Sequence, residues 1–127
     1  ESRSVHPYIL NYCNAELLVD NYFHSVLEAC KSIASLVRNK TGLKTDGAQL
    51  IDDAFGGGNP LLKINSYVND TEKSEQKGFV NLSKGIFGTF RNPVAHIGKI
   101  EWNMTEQDAL DIFSIISYIF RRIEASK

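Results

Sequence analysis

The sequence predicts an all-α protein, an antiparallel helical bundle of about four main helices with a short extra helix and an irregular central segment. Three observations carry this. Apolar residues recur at helical spacing in several long stretches. Residue types that start and stop helices flank those stretches. The middle of the chain, from Thr41 to Asp70, breaks the periodicity with Gly56-Gly57-Gly58-Asn59-Pro60.

The chain enters its first helix at His6-Pro7, proline being tolerated at a first helical position. Ile9, Leu10, Cys13, Leu17 and Leu18 continue the helix to near Val19. Asp20 or Asn21 then caps a second helix, striped by Phe23, Val26, Leu27, Cys30, Ile33, Ala34 and Val37. Arg38 and Lys40 load its last turn and Gly42 stops it. The connection is short, so these two helices are expected to pair as an antiparallel hairpin. His24 falls at the edge of the stripe and is read as a boundary residue.

Asp46-Gly47 opens the short helix, which ends at Ala54-Phe55. The glycine run that follows is a turn. It is not a phosphate-binding loop, because Gly-x-x-x-x-Gly-Lys-Ser/Thr is absent. Leu61, Leu62, Ile64, Tyr67 and Val68 are expected to lie extended across the helices and close the core. A third long helix starts near Thr71 or Glu72, with Phe79, Leu82, Ile86 and Phe90 as its core stripe. Gly78, Gly85 and Gly88 each cost up to about 1 kcal/mol in a helix, which suggests a close helix contact there. Ile97-Gly98-Lys99-Ile100 and Trp102 lead to a fresh cap at Thr105 with Asp108 three residues on. The last helix, from Ala109 to Ile123, has an apolar surface wide enough for the centre of a bundle or for a second, dimerising face.

One domain accommodates 127 residues, and 43% hydrophobic content supports a core. A net charge of −1 excludes a general polyanion binder, so any nucleic-acid contact rests on a local patch. No apolar run approaches the roughly 20 residues of a membrane span, and no signal peptide is visible, so a cytoplasmic protein without membrane association is expected. Cys13 and Cys30 sit in apolar helical patterns and read as buried, reduced thiols. His6, His24 and His96 share no metal-ligand spacing with them, so neither a metal nor a cofactor is expected. Asn69-Asp70-Thr71 and Asn103-Met104-Thr105 are sequons that carry little weight without a secretion signal. Glu1 in place of an initiator methionine suggests a domain taken from a longer protein.

The most chemically committed stretch is Arg91-Asn92-Pro93-Val94-Ala95-His96, between the third and last long helices. Arg91 offers a permanent planar cation for a phosphate or phosphorane. His96 offers proton transfer near neutral pH. Five residues apart on an unbroken helix they would diverge by about 140°. Pro93 disfavours helix at Asn92 and removes a donor, so a bend there can bring both side chains to one side. An ordinary helix end, with the arginine on carbonyls and the histidine half-buried, would account for the same residues. Upstream, Lys77, Asn81, Lys84, Gly88 and Arg91 project within about 80° of one another on an ideal helix. Lysines there could hold a phosphate, and Gly88 would let a strand or a second subunit approach.

Arg91-Asn92-x-x-x-His96 resembles the Arg-x-x-x-x-His signature of the HEPN superfamily, small helical domains that include metal-independent endoribonucleases. The order His6-Pro7, Ala29-Cys30-Lys31, Thr41-Gly42, Asp46-Gly47, Ala54-Phe55, Asn59-Pro60-Leu61 and Gly85 through His96 is similar to HEPN-like domains at the C-termini of phage-associated and abortive-infection proteins. The resemblance implies a HEPN-like fold over residues 1–127 and catalytic roles for Arg91, His96 and Asn92. It also implies a homodimer in which two motifs meet, RNA as substrate, and an antitoxin or upstream domain as further partner. Lys84, Gly88 and Lys99 are the candidate RNA contacts. A non-catalytic dimerisation or nucleotide-binding module is the alternative, and a purely structural bundle a third.

Overall fold

The computed structural model describes residues 22–91 and 104–127, except the side chains of Phe23 and Arg91. The expected first helix, its hairpin with the second, and residues 92–103 lie outside the described residues. Within them the protein is all-helical, with no strand. The elements are α1 (Tyr22–Thr41), α2 (Gly47–Phe55), α3 (Asp70–Ile86), a π-helical turn (Phe87–Arg91) and α4 (Glu106–Ala125).

Helix α1 buries Val26, Ala29, Cys30, Ile33, Ala34 and Val37; of the predicted stripe, Leu27 is half-buried at its edge and the Phe23 side chain lies outside the described residues, while Ala29 is added. It stops where Gly42 takes φ +79°, a left-handed conformation open to glycine, and donates its N–H to the Arg38 carbonyl at 2.7 Å. Lys40 does not serve its own helix end. Its Nζ donates to the carbonyls of Ile123, Glu124 and Ser126 at 2.8–3.0 Å, capping the C-terminus of α4. The C-terminal ends of α1 and α4 therefore meet, and these two helices share the most extensive interface in the described protein.

Helix α2 is capped by Asp46, which accepts from the Gly47 N–H at 2.8 Å. It buries Leu50, Ile51, Ala54 and Phe55. The segment after it only partly covers the core. Leu62 is buried and Ile64 packs against the core, but Leu61 and Val68 are 57% and 74% exposed. The segment is anchored by backbone bonds: Leu62 to Ala54, and a reciprocal pair between Lys63 and Lys127.

Helix α3 begins at Asp70, one or two residues before the expected start, because Asn69 and Glu72 form a capping box. Its buried positions are Gln76, Phe79, Val80, Ser83 and Ile86. Leu82, expected in the core, is 41% exposed. Ser83 occupies the inward position that an apolar-only stripe assigns to its neighbour. Glu75 in the N-terminal half of α3 lies 3.5 Å from Arg122 near the end of α4, which ties these two parts together. Gly78, Gly85 and Gly88 are exposed, and a Cβ at any of them would meet nothing within 4 Å among the described residues. They do not mark a close internal contact there.

Thr105 and Asp108 form the expected capping box of α4. This helix buries Ala109, Ile112, Phe113, Ile116, Ile119, Phe120 and Ile123. Most of its wide apolar surface is thus used within the chain, and Ile115 and Tyr118 remain exposed.

Candidate active site and the adjoining groove

Arg91 is positioned by a change of helix type. Regular α geometry ends at Ile86, and Phe87–Arg91 form a π turn. The sequence puts Pro93 two residues on; a proline has no N–H for a carbonyl four residues back and crowds it in a regular helix, which kinks or breaks an α-helical ladder. Inside the turn, Phe87 is fully buried and Phe90 packs partly against the core. Longer i→i+5 spacing takes up an extra residue while both aromatics stay inward.

A π turn needs more residues per revolution than an α turn, so it rotates the chain relative to the α register. The ideal projection that aligned Lys77, Asn81, Lys84, Gly88 and Arg91 therefore holds through Lys84 and not through Gly88 and Arg91. Asn92, His96 and Lys99 lie outside the described residues, as does the Arg91 side chain. Gly88 is exposed on the π turn.

Lys84 is engaged. Its Nζ lies 2.8 Å from Oδ2 of Asp52 on α2, a pair that ties α3 to α2 beside the turn. Both side chains are more than a third exposed, so the pair contributes at most about 1 kcal/mol. A phosphate at Lys84 would share its ammonium with Asp52 and meet that carboxylate's negative charge. His24 is half exposed on α1 with Nε2 3.4 Å from Glu28, in keeping with a boundary residue.

Farther back on α3 a groove of about 570 Å³ opens between α2, the 56–67 segment and α3. Phe55 and Val80 supply apolar lining, Tyr67 a ring, and Lys73, Lys77 and Asn81 the polar edge. Tyr67 is held by its N–H, which donates to Asn65 Oδ1 at 2.9 Å, and by three contacts of its side chain. Its hydroxyl donates to the Gly57 carbonyl at 3.1 Å, and Lys73 and Lys63 lie over its ring at 5.5 and 5.9 Å. Its φ of +56° is the one left-handed non-glycine conformation among the described residues.

The groove's shape depends on Gln76, which sequence reasoning missed. Gln76 is buried, accepts from the Ile64 N–H at 3.0 Å, and donates to the carbonyls of Phe55 and Leu62 at 2.9 Å each. It replaces the missing backbone pairing between the central segment and the helices. Glu72 adds a second anchor at the rim. Its carboxylate accepts from the Ser66 hydroxyl and from the N–H groups of Val68 and Asn69. These bonds, the Ser66 one foremost, hold it below the usual carboxylate range.

The described protein is thus a helical bundle in which α3 passes into a π turn ending at Arg91 and borders a partly apolar, lysine-edged groove. A family model described as "Protein of unknown function (Hypoth_ymh)" matches residues 3–123, and the chain belongs to that family. No curated protein and no solved structure matches it.

Proposed function

We propose that this protein is a metal-independent endoribonuclease of the HEPN type, acting in phage defence or a toxin–antitoxin pair. The observation that carries the reading is the π turn ending at Arg91, immediately before Asn92-Pro93. Such turns occur often at functional sites. Here the turn supports the expectation that the helix breaks between Arg91 and His96, which must converge to act together.

The chemistry follows from the residue types. A ribose 2′-oxygen attacks the adjacent phosphorus while its proton passes to His96 of one copy. Arg91 stabilises the charge on the phosphorane. The bond from phosphorus to the 5′-oxygen then breaks, and His96 of the second copy protonates the leaving oxygen. Asn92 orients the histidine or the phosphate, and Lys99 together with Gly88, which is exposed on the π turn, contacts the strand. The products are a 2′,3′-cyclic phosphate and a 5′-hydroxyl. A dimer provides both histidines, and no step calls on a metal.

The test is product analysis in excess chelator. Cleavage should leave cyclic-phosphate ends, and a substrate carrying 2′-deoxyribose at the cleaved position should resist. Ends of 3′-hydroxyl and 5′-phosphate, or strict dependence on added divalent metal, would refute the mechanism. Intact RNA at high protein concentration would favour the non-catalytic dimerisation or nucleotide-binding module.

A further inference from the structure

The groove between α2 and α3 has no role in the mechanism above, yet it lies on the helix that leads to Arg91. At 100° per residue Lys73, Lys77, Asn81 and Lys84 project within about 80° of one another, and all four fall inside the regular α-helical part of α3. Lys84 is neutralised by Asp52. Lys73 and Lys77 make no ion pair among the described residues, and both line the groove. Asp70 opposes them at one end, and Lys63, over the Tyr67 ring, adds to the positive side. With Asp52 paired to Lys84, the groove sets Lys73 and Lys77 against Asp70 alone and places them beside an aromatic ring.

That combination has a chemical meaning. Side chains four residues apart on a helix stand about 6 Å from each other, which suits successive phosphates of one strand better than a single compact anion. Single strands are held by cations that track the backbone together with aromatic or apolar surfaces that receive bases. Gly57 is exposed at φ +82°, and a Cβ placed on it would meet nothing within 4 Å among the described residues, so the opposite edge of the groove is low. The left-handed φ of Tyr67 is held by its N–H, which donates to Asn65 Oδ1 at 2.9 Å, and by its hydroxyl bond to Gly57, so the ring keeps its place at the groove.

We infer that this groove is a subsite for a single-stranded RNA segment, with Lys73 and Lys77 on two phosphates and a base against the half-buried Tyr67 ring. The inference rests on the ribonuclease reading and extends it: the strand cut at Arg91 continues along α3 to the groove, about 20 Å away along the helix axis. The site selects single strands, since a duplex would keep its bases from the Tyr67 ring.

The experiment measures binding separately from cleavage. A fluorescent, fully 2′-O-methylated 12-mer, which lacks the attacking hydroxyl, is titrated with the full chain and with the Lys73→Gln/Lys77→Gln double variant by anisotropy at several salt concentrations. The variant should stay folded, with only a small drop in melting temperature from the lost Lys73–Tyr67 contact, bind about tenfold more weakly at low salt, and lower the slope of log K against log salt by about 1.4. Equal affinity and slope in a folded variant would overturn the subsite. So would displacement of the 12-mer by uridine or adenosine monophosphate at equal affinity, which would mark a pocket for a free nucleotide. Binding that depends on both lysines without any cleavage of the 2′-hydroxyl strand would support the subsite and sink the nuclease. Cleavage with binding indifferent to both lysines would do the reverse.

Discussion

Gln76 shows how much one side chain can organise. In sequence it stands between Glu75 and Lys77 and looks like a solvent-facing helix residue, yet it is 2% exposed and makes three hydrogen bonds to the central segment. Replacing it by leucine would leave two carbonyls and one N–H buried without partners, each costing about 1–3 kcal/mol. Gln76→Leu is expected to lose about 3 kcal/mol in urea unfolding; a loss below about 1 kcal/mol would mean that the central segment finds other partners. No apolar period reveals such a residue, since its partners are backbone groups 12 to 21 positions away. The Lys84–Asp52 pair, 32 positions apart, is hidden for the same reason. Leu82 fails in the opposite sense: hydrophobicity suggests burial, and the helix turns Ser83 and Val80 inward instead.

At the level of elements, local chemistry is readable wherever a side chain acts on its own backbone. Gly42, Asp46 and the Thr105/Asp108 box all stop or start helices where the sequence places them. Asn69 is legible in principle, followed three residues later by Glu72, but it shows first as part of a sequon. Its cap is worth about 1 kcal/mol. The same box carries a pH dependence. Glu72 has a depressed carboxyl pKa in the folded protein, so its contribution is complete above the unfolded value of about 4.3 and is lost as pH falls through the lower folded value. Between pH 7 and about 5 the stability of Glu72→Gln relative to the parent should stay constant; below about pH 4.3 the gap should narrow. A gap that widened on acidification would show that the carboxylate is not the favoured form in the fold. The π turn is only half legible. Pro93 announces a break, but the slip in hydrogen bonding begins six residues earlier, where Phe87 and Phe90 seek the core.

Over the whole molecule, the helical class and the order of elements are in the sequence because amphipathic periodicity and caps are local signals. How the elements meet is not, as with Lys40 closing the far end of α4 rather than its own helix. The π turn and the groove lie on one helix, which gives the proposed nuclease a chemical end at Arg91 and a holding surface at Lys73 and Lys77. The central claim is that Arg91 and His96 perform the cleavage. Its most direct test is RNA cleavage by the full chain in excess chelator, beside Arg91→Ala and His96→Ala of unchanged melting temperature and oligomeric state. Each substitution is predicted to lower the rate by at least about 100-fold. Cleavage at the parental rate by either folded variant would contradict the claim.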